Sequence, residues 1–320
     1  MTDQNQKILL GISSCLLGEQ VRFDGGHKNN AYINQTLGEY FRFKPFCPEV
    51  AIGLGIPREP IKLVKQSDTV QAIGVKNAAL NVSQQLIECA NEQRHWQDDI
   101  FGYIFKKDSP SCGMERVKIY IPDANRPPER NGTGLYAAQV MQNFPHLPIE
   151  EEGRLGDPKL RENFISHVFI YWRWKSQLMA ALSQAALTDF HAQHKLIFMS
   201  RDQDKTRDLG RLLSQTSDMT LPELAKVYLT RMTELLRIVP SRKNHVNVLQ
   251  HIQGYLKKQL DRDDKAELKE VIEQYRLGVL PLIVPITLLR HHFRKYPNDY
   301  ILRSVYMTPH PKALMLLNHL

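Results

Sequence analysis

Three of the four cysteines in the sequence follow short apolar runs that are typical of β-strands. Cys15 comes after ILLGIS, Cys47 after FRFKPF and Cys112 after IFGYIFKKDSPS. In an open parallel sheet the carboxyl ends of the strands share one edge, and ligands bind in the crevice at that edge. We therefore expect these three thiols to converge. Cys89 lies inside a helical pattern instead, and we interpret it as a small core residue.

Converging thiols allow three kinds of site. Redox-active cysteine pairs typically occur in a CxxC motif, and the sequence contains no such motif. A structural zinc ion takes four ligands, usually in closely spaced pairs, and no such pair is present. An iron–sulfur cluster also prefers thiolates, and three ligands would leave one iron open. Spacing alone leaves the choice between these sites open, and for any single cysteine a buried apolar role is the simplest alternative.

Short strands alternate with helical patterns around these cysteines. The runs KILLGIS, RFKPF, IFGYIF and VKIYI predict strands, whereas NNAYINQTLGEYF, NVSQQLIECANEQRHW and TGLYAAQVMQNF predict helices. Such alternation is typical of βαβ units and a mostly parallel sheet. We therefore predict an α/β domain over residues 1–156.

A different organisation begins after NFPHLPIEEEGRLGDPKL, a segment rich in proline, glycine and charge that marks a boundary. Beyond it apolar residues recur at spacings of three and four, as amphipathic helices require. The patterns include LPELAKVYLTRMTELLRI, HVNVLQHIQGYLKKQL and KAELKEVIEQYRLG. We therefore predict an all-α helical domain over residues 157–320.

The charge of the chain is concentrated in this helical half. Residues 1–160 hold 18 Lys and Arg against 19 Asp and Glu, whereas residues 161–320 hold 24 against 15. Such asymmetry favours a polyanionic partner for one half, although single basic residues on helices are often merely solvated. The candidate phosphate contacts are Lys257, Lys258, Arg290, Arg294 and Lys295.

Motifs in both halves resemble known families. GISSCLLGEQVRFDGGHK, FCPEVAIGLGIPREP and KKDSPSCG resemble the three cysteine motifs of the thiouracil desulfurase family, also called domain of unknown function 523. In the second half, EEEGRLGDPKLRENF, YRLGVLPLIVPITLLRHHF and YMTPHPKALMLLNH are similar to domain of unknown function 1722. The fusion of the two resembles bacterial desulfidases that remove sulfur from 4-thiouridine in tRNA.

The resemblance implies that Cys15, Cys47 and Cys112 hold a 4Fe–4S cluster whose fourth iron takes the sulfur of a thiocarbonyl base. Glu49, two residues after Cys47, is the candidate for proton transfer; its alternative role is to cap the next helix. The family pattern also favours Ser109 as a catalytic hydroxyl, and the alternative for this residue is turn chemistry beside Pro110.

Four further polar residues are candidates for substrate binding, each with a purely local role in its loop as the alternative. They are Ser14, Asp24, Lys28 and Ser111.

No apolar stretch is long enough to cross a bilayer, and MTDQNQK lacks the pattern of a signal peptide. We therefore expect a cytoplasmic protein with no membrane partner, and no obligate protein partner is evident.

The function predicted from these observations is iron–sulfur-dependent removal of sulfur from 4-thiouridine in tRNA, which gives uridine and hydrosulfide. Two alternatives differ in substrate or in class. One is a desulfurase of free thiouracil bases or nucleosides, and the other is a non-catalytic iron–sulfur RNA-binding sensor. Release of hydrosulfide from thiolated tRNA separates the enzyme from the sensor, and comparison with a free thiobase separates the two enzymes.

Overall fold

The computed structural model describes residues 7–122, 127–214, 219–311, 314 and 316–318, so most of MTDQNQK lies outside the described residues. The chain divides into two compact units, Met1–Gly156 and Asp157–Leu320. Among the described helices, none combines the length and the apolar character needed to span a bilayer.

Eight β-strands lie in the described part of the first unit. They are β1 (Ile8–Ser13), β2 (Phe41–Phe46), β3 (Ile61–Gln66), β4 (Thr69–Gly74), β5 (Tyr103–Phe105), β6 (Val117–Tyr120), β7 (Glu129–Gly132) and β8 (Ile149–Glu151). The first sheet has the order β2–β1–β5–β8, and all of its pairs are parallel. The second has the order β4–β3–β6–β7 and is mixed, with β3 parallel to β6 and the two outer pairs antiparallel.

The helices of the first unit are short. They are α1 (Pro48–Ala51), α2 (Ser83–Glu92), α3 (Arg94–Gln97) and α4 (Leu135–Asn143). The segment NNAYINQTLGEYF, predicted as a helix, forms one π-helical turn, Tyr32–Thr36, and one 3₁₀ turn, Leu37–Glu39. The alternation of strands and helices confirms the predicted α/β class with a mostly parallel first sheet. The second, mixed sheet was not predicted from the sequence.

The first sheet is buried, as parallel sheets generally are. In its middle strand β1, Leu10 and Ile12 are fully buried, and the neighbouring strand β5 is buried at all three positions. Gly11 lies between the two apolar positions of β1, and a side chain there would collide with the ring of Tyr103. This glycine therefore allows the aromatic residue of β5 to pack directly on the backbone of β1.

The second unit is helical throughout its described elements, which confirms the predicted all-α class. Its helices are α5 (Pro158–Arg173), α6 (Gln184–Arg201), α7 (Gln203–Ser214), α8 (Leu221–Leu236), α9 (Arg242–Gly254), α10 (Arg262–Leu277), α11 (Ile283–Lys295) and α12 (Asp299–Arg303). Side chains at the N-caps fix several starts, including Asp157, Ser183 and Ser241, each of which accepts a backbone N–H of the first turn. The segment HVNVLQHIQGYLKKQL is predicted as one helix, but α9 ends at Gly254, and YLKKQL lies beyond it.

Candidate active site at the edge of the parallel sheet

The three cysteines lie after three neighbouring strands of the first sheet. β1 lies between β2 and β5, so the carboxyl ends of all three are adjacent. Cys15 lies in a 3₁₀ turn directly after β1, Cys47 is the N-cap of α1 after β2, and Cys112 lies in the loop after β5. All three line one crevice of about 350 Å³.

The thiols are held in an environment that disfavours their charged form. Burial, together with the neighbouring Cys47, raises the pKa of Cys15 to about 11. Burial also raises the pKa of Cys47 and, strongly, that of Cys112. Without a bound cation these groups are therefore neutral thiols at pH 7, and a metal centre would have to supply the positive charge that stabilises the thiolates.

The donor set fits a cluster better than a single ion. Within the part of the chain that the structure describes, no group of three or more His, Cys, Asp or Glu could hold one metal ion. A 4Fe–4S cluster is wider than an ion, and each of its ligands binds a different iron. Three thiols that line one crevice can each bind a different iron in this way. Cys89, on α2, does not line the crevice.

Glu49 faces the crevice and is fixed from two sides. One carboxylate oxygen, Oε1, accepts a 2.5 Å hydrogen bond from the hydroxyl of Ser111. The other, Oε2, accepts from Nε and Nη2 of Arg58 at 2.9 and 2.8 Å. Both carboxylate oxygens of Glu49 are thus bonded to side chains outside α1, namely those of Arg58 and Ser111.

A chain of hydroxyl groups leads to this carboxylate. The Oγ atoms of Ser109 and Ser111 lie 3.0 Å apart. Because the single hydroxyl proton of Ser111 points to Glu49, the Ser109 hydroxyl is the donor to Ser111. The Oγ of Ser109 also accepts the backbone N–H of Cys112 at 3.1 Å, which is the turn role that its alternative predicts. Ser109 therefore both shapes the loop that carries Cys112 and orients Ser111.

The remaining candidates from the sequence are divided between the crevice and its surroundings. Ser14 and Lys28 line it, together with Ser111. Asp24 is not among the lining residues; its carboxylate accepts the N–H of Gly26 at 3.0 Å, and this bond holds its pKa below the usual value. The structure therefore places Asp24 in a local turn role.

Sequence reasoning missed two basic residues of the crevice, Arg58 and Lys106, and Arg22 lines it as well. The Arg58 side chain is 4% exposed, and besides Glu49 it binds the carbonyl of Val21 at 2.9 Å. Lys106 pairs with Glu152 at 2.6 Å. The Nε of Arg22 is buried and has no hydrogen-bond partner among the described residues. Arg58 is the sole arginine of FCPEVAIGLGIPREP, but nothing in its spacing indicates a partner for Glu49.

Gly134, the N-cap of α4, is packed against the loop that carries Cys112. A Cβ at this position would lie 2.5 Å from the backbone carbon of Ser111 and 2.8 Å from the backbone nitrogen of Cys112. The N–H groups of Gly134 and Leu135 donate to the carbonyls of Gly113 and Pro110 at 2.8 and 3.1 Å. The start of α4 and the loop that carries Cys112 are therefore fixed to each other through the backbone.

We expect Gly134→Ala to lower the free energy of unfolding by about 1–3 kcal/mol, because the added methyl group meets backbone atoms that cannot move independently. The backbone of Gly134 has φ −61°, which alanine adopts without strain, so the effect comes from contact alone. Urea unfolding of the full chain measures it. Gly156→Ala is the matched control, since a Cβ there meets nothing within 4 Å. Equal stability of the two variants would contradict the close approach.

The predicted RNA contacts of the second unit differ in accessibility. Lys257 and Lys258 are exposed in the turn after α9, and Arg294 and Lys295 are exposed at the end of α11. Arg290 is half-buried, and its guanidinium donates to the carbonyl of Met307. The structure therefore offers four solvated basic side chains from this set, while Arg290 is engaged in packing.

Comparisons with known proteins assign both parts of the chain. Residues 10–152 match the family model described as 2-thiouracil desulfurase, and residues 195–311 match a protein family of unknown function, DUF1722. The uncharacterized protein YbgA of Escherichia coli (strain K12) is 29% identical over 136 residues, which is 42% of this chain and 80% of YbgA. A solved structure, the [4Fe-4S]-dependent thiouracil desulfidase TudS, is 27% identical, with a TM-score of 0.38; the match covers 48% of this chain and 95% of TudS.

The structure defines a protein of two units. The first has a cysteine-lined crevice at the edge of a parallel sheet, and the second is helical. The two family matches confirm the resemblance that the cysteine motifs and the helical segments indicate. The first unit carries a 2-thiouracil desulfurase domain over residues 10–152, and the second carries a DUF1722 domain over residues 195–311. Its first unit is therefore a desulfurase-type enzyme domain.

Proposed function

We propose that the protein is a desulfidase that hydrolyses the C=S bond of 4-thiouridine in tRNA, giving uridine and hydrosulfide. The observation that carries this proposal is the convergence of Cys15, Cys47 and Cys112 on one crevice that also contains the Glu49 carboxylate. A soft thiolate set next to a hydrogen-bonded acid/base group suits the cleavage of a carbon–sulfur bond by water. The match to the 2-thiouracil desulfurase family supports the same reaction type.

The three cysteines would hold a 4Fe–4S cluster in this proposal. When bound, the cluster supplies an open iron, a Lewis acid with affinity for soft thiocarbonyl sulfur. The chain itself supplies the thiolates and the enclosure of the crevice. Arg22, whose buried Nε makes no hydrogen bond among the described residues and lies 3.7 Å from Asp24 Oδ1, and Lys28 are available to hydrogen-bond the base.

Glu49 is positioned to accept a proton from the attacking water. Its carboxylate keeps one oxygen on Arg58 and the other on Ser111, so its orientation is fixed before substrate arrives. Water oxygen forms a bond to the ring carbon, the carbon–sulfur bond breaks, and the sulfur leaves as hydrosulfide. The proton that Glu49 takes from water passes to the leaving sulfur, and the second proton of the water is released to solvent as the carbonyl forms, so the reaction needs no oxidant or reductant.

The helical unit is the basis for proposing tRNA rather than a free base as substrate. It carries the net positive charge of the chain, and Lys257, Lys258, Arg294 and Lys295 are exposed on it. Exposed basic side chains bind RNA phosphates without sequence preference and hold the RNA in place. A small thiobase offers no phosphates and would leave this charge without a function.

A second candidate is the hydrolysis of free thiouracil bases or nucleosides. The description of the matched family names thiouracil, and a crevice of about 350 Å³ admits a single base. A non-catalytic iron–sulfur sensor is the third. One assay separates the three candidates. Full-length protein is purified anaerobically, its iron–sulfur content is restored, and hydrosulfide release is measured on thiolated tRNA, 4-thiouridine and 2-thiouracil. Preference for free 2-thiouracil over tRNA would replace the proposal by the second candidate, and no release would favour the third.

Binding of tRNA should weaken steeply with salt, because each phosphate contact releases counterions. We expect the double variant Lys257→Glu/Lys258→Glu to bind tRNA at least tenfold more weakly and to reduce the slope of log K against log salt by about 2. Filter binding over a range of salt concentrations measures both quantities.

The matched control is Lys205→Glu/Lys226→Glu, which makes the same charge change at two exposed lysines of α7 and α8. We expect this control to change the affinity much less. If both double variants lose affinity equally, the turn after α9 is not a specific docking surface and only the net charge matters.

A further inference from the structure

The second unit contains a polar cavity that the proposed desulfidase function does not use. Its volume is about 260 Å³, close to the lower end of small-molecule sites. The walls come from α5, α6, α10, α11, the start of α9 and the segment that leads into it, and the three residues Tyr306, Pro309 and Leu317. Four charged side chains line it: Lys159, Glu162, Arg201 and Arg242.

Arg201 is the most unusual of these residues, because it is 5% exposed and its guanidinium is yet not fully satisfied. Its Nη1 donates to the carbonyl of Ile197 at 3.1 Å, and its Nη2 donates to Asn163 Oδ1 at 3.1 Å and to Ser166 Oγ at 3.3 Å. Its Nε is buried with no hydrogen-bond partner among the described residues. A buried cation with a spare donor is costly unless an anion pairs with it.

The N-terminal end of α9 supplies a second set of donors to the same cavity. Ser241, the N-cap, and Arg242, the first helical residue, both line the cavity. The first N–H groups of a helix have no acceptor within the helix, and the helix dipole favours negative charge there. Arg242 is held in place by a 2.7 Å bond from Nη1 to the carbonyl of Tyr275 and lies 5.2 Å from the centre of that ring.

The charged side chains of the cavity are three basic groups and one carboxyl, so the basic groups are in excess. Burial raises the pKa of Glu162 to about 8, and the neighbouring Arg201 acts in the opposite direction. Burial lowers the pKa of Arg201 only to about 10, so it stays charged. His245 is bonded to the hydroxyl of Tyr306 at 2.8 Å. Apolar side chains such as Ile197 and Ile286 complete the wall and can cover an organic group.

We infer that this cavity binds a small phosphate-bearing ligand, with the phosphate between Arg201, Arg242 and the N-terminal end of α9. A phosphate oxyanion matches the guanidinium donors, and helix N-termini are recurrent phosphate sites. The organic part of the ligand lies against the apolar wall. The phosphate can come from a free nucleotide or from the end of an RNA strand. The inference does not depend on the desulfidase proposal, since the cavity lies within the second unit.

Isothermal titration of the full chain with inorganic phosphate, uridine 5′-monophosphate and uridine tests the inference. We expect both phosphate compounds to bind and uridine not to bind. Arg242→Gln, at a half-buried position, should weaken uridine 5′-monophosphate about ten- to a hundredfold, because one charge-assisted hydrogen bond is lost. Lys243→Gln is the matched control: it changes the next, exposed residue of α9, which does not line the cavity.

Arg201→Gln should have the same effect, and circular dichroism shows whether this more buried substitution leaves the helices intact. A 5′-phosphorylated and a 5′-hydroxyl oligoribonucleotide of the same sequence distinguish the two sources of phosphate. Preference for the phosphorylated strand over free uridine 5′-monophosphate indicates an RNA end, and the opposite preference indicates a free nucleotide. No binding of either phosphate compound at millimolar concentration, equal binding of uridine, or unchanged affinity in Arg242→Gln would overturn the inference.

Discussion

Full-length protein in which Cys15, Cys47 or Cys112 is replaced by alanine is expected to retain no iron and to release no hydrosulfide. All three side chains line one crevice, and each would bind a different iron of the cluster. With one thiolate removed, the two that remain cannot close the ligand set. Iron and sulfide content after anaerobic purification, together with the visible absorption of the protein, measure the loss.

Cys89→Ala is the matched control for these three variants. Cys89 belongs to the same unit, is buried on α2, and has a pKa that burial raises to about 11, but it does not line the crevice. It should therefore keep its iron and its activity. The ligand assignment is wrong if Cys89→Ala loses iron as well, or if any of the three crevice variants keeps a full complement.

The convergence of the cysteines was predictable because parallel strands are regular. Each cysteine follows an apolar run, and strands that run in the same direction end at the same edge. The α/β class and the all-α class follow from the change in apolar periodicity from the first half to the second, and the structure confirms both. The family relationship rests on the same cysteine segments, and the match over residues 10–152 confirms it.

The irregular parts could not be predicted in this way. The Arg58–Glu49 pair depends on the path of the loop between them, which no periodicity determines. The second sheet joins β3 and β4, a hairpin of mixed burial, to β6 from far along the chain. Lys257 and Lys258 were expected on a helix, but the chain leaves α9 at Gly254 and continues through turns. The cavity of the second unit is formed by segments distant in sequence.

The structure also changes what a serine substitution can test. The family pattern favours Ser109 as a catalytic hydroxyl, but its Oγ accepts the N–H of Cys112 and thus also supports the loop that carries this cysteine. Ser111 makes the direct bond to Glu49. Ser111→Ala is therefore the cleaner test of the hydroxyl chain, and iron content must be compared between the two serine variants before their rates are interpreted.

Glu49→Gln should retain iron and bind substrate but turn over about 100- to 10,000-fold more slowly, because loss of one acid/base group commonly has an effect of this size. The amide keeps the shape of the side chain and can accept one hydrogen bond from Ser111, but it cannot take a proton from water. Single-turnover release of hydrosulfide from thiolated substrate, normalised to iron content, measures the effect.

One structural consequence of Glu49→Gln must be separated from its chemical effect. The substitution leaves the Arg58 guanidinium, whose side chain is 4% exposed, without its ion-pair partner. The double variant Glu49→Gln/Arg58→Met removes both charges and so removes this penalty. If Glu49 transfers a proton, the double variant stays as slow as the single one even though its stability recovers. Recovery of the rate along with the stability would show that the Glu49–Arg58 pair only holds the loop in place, and the proton acceptor would then have to be sought elsewhere in the crevice.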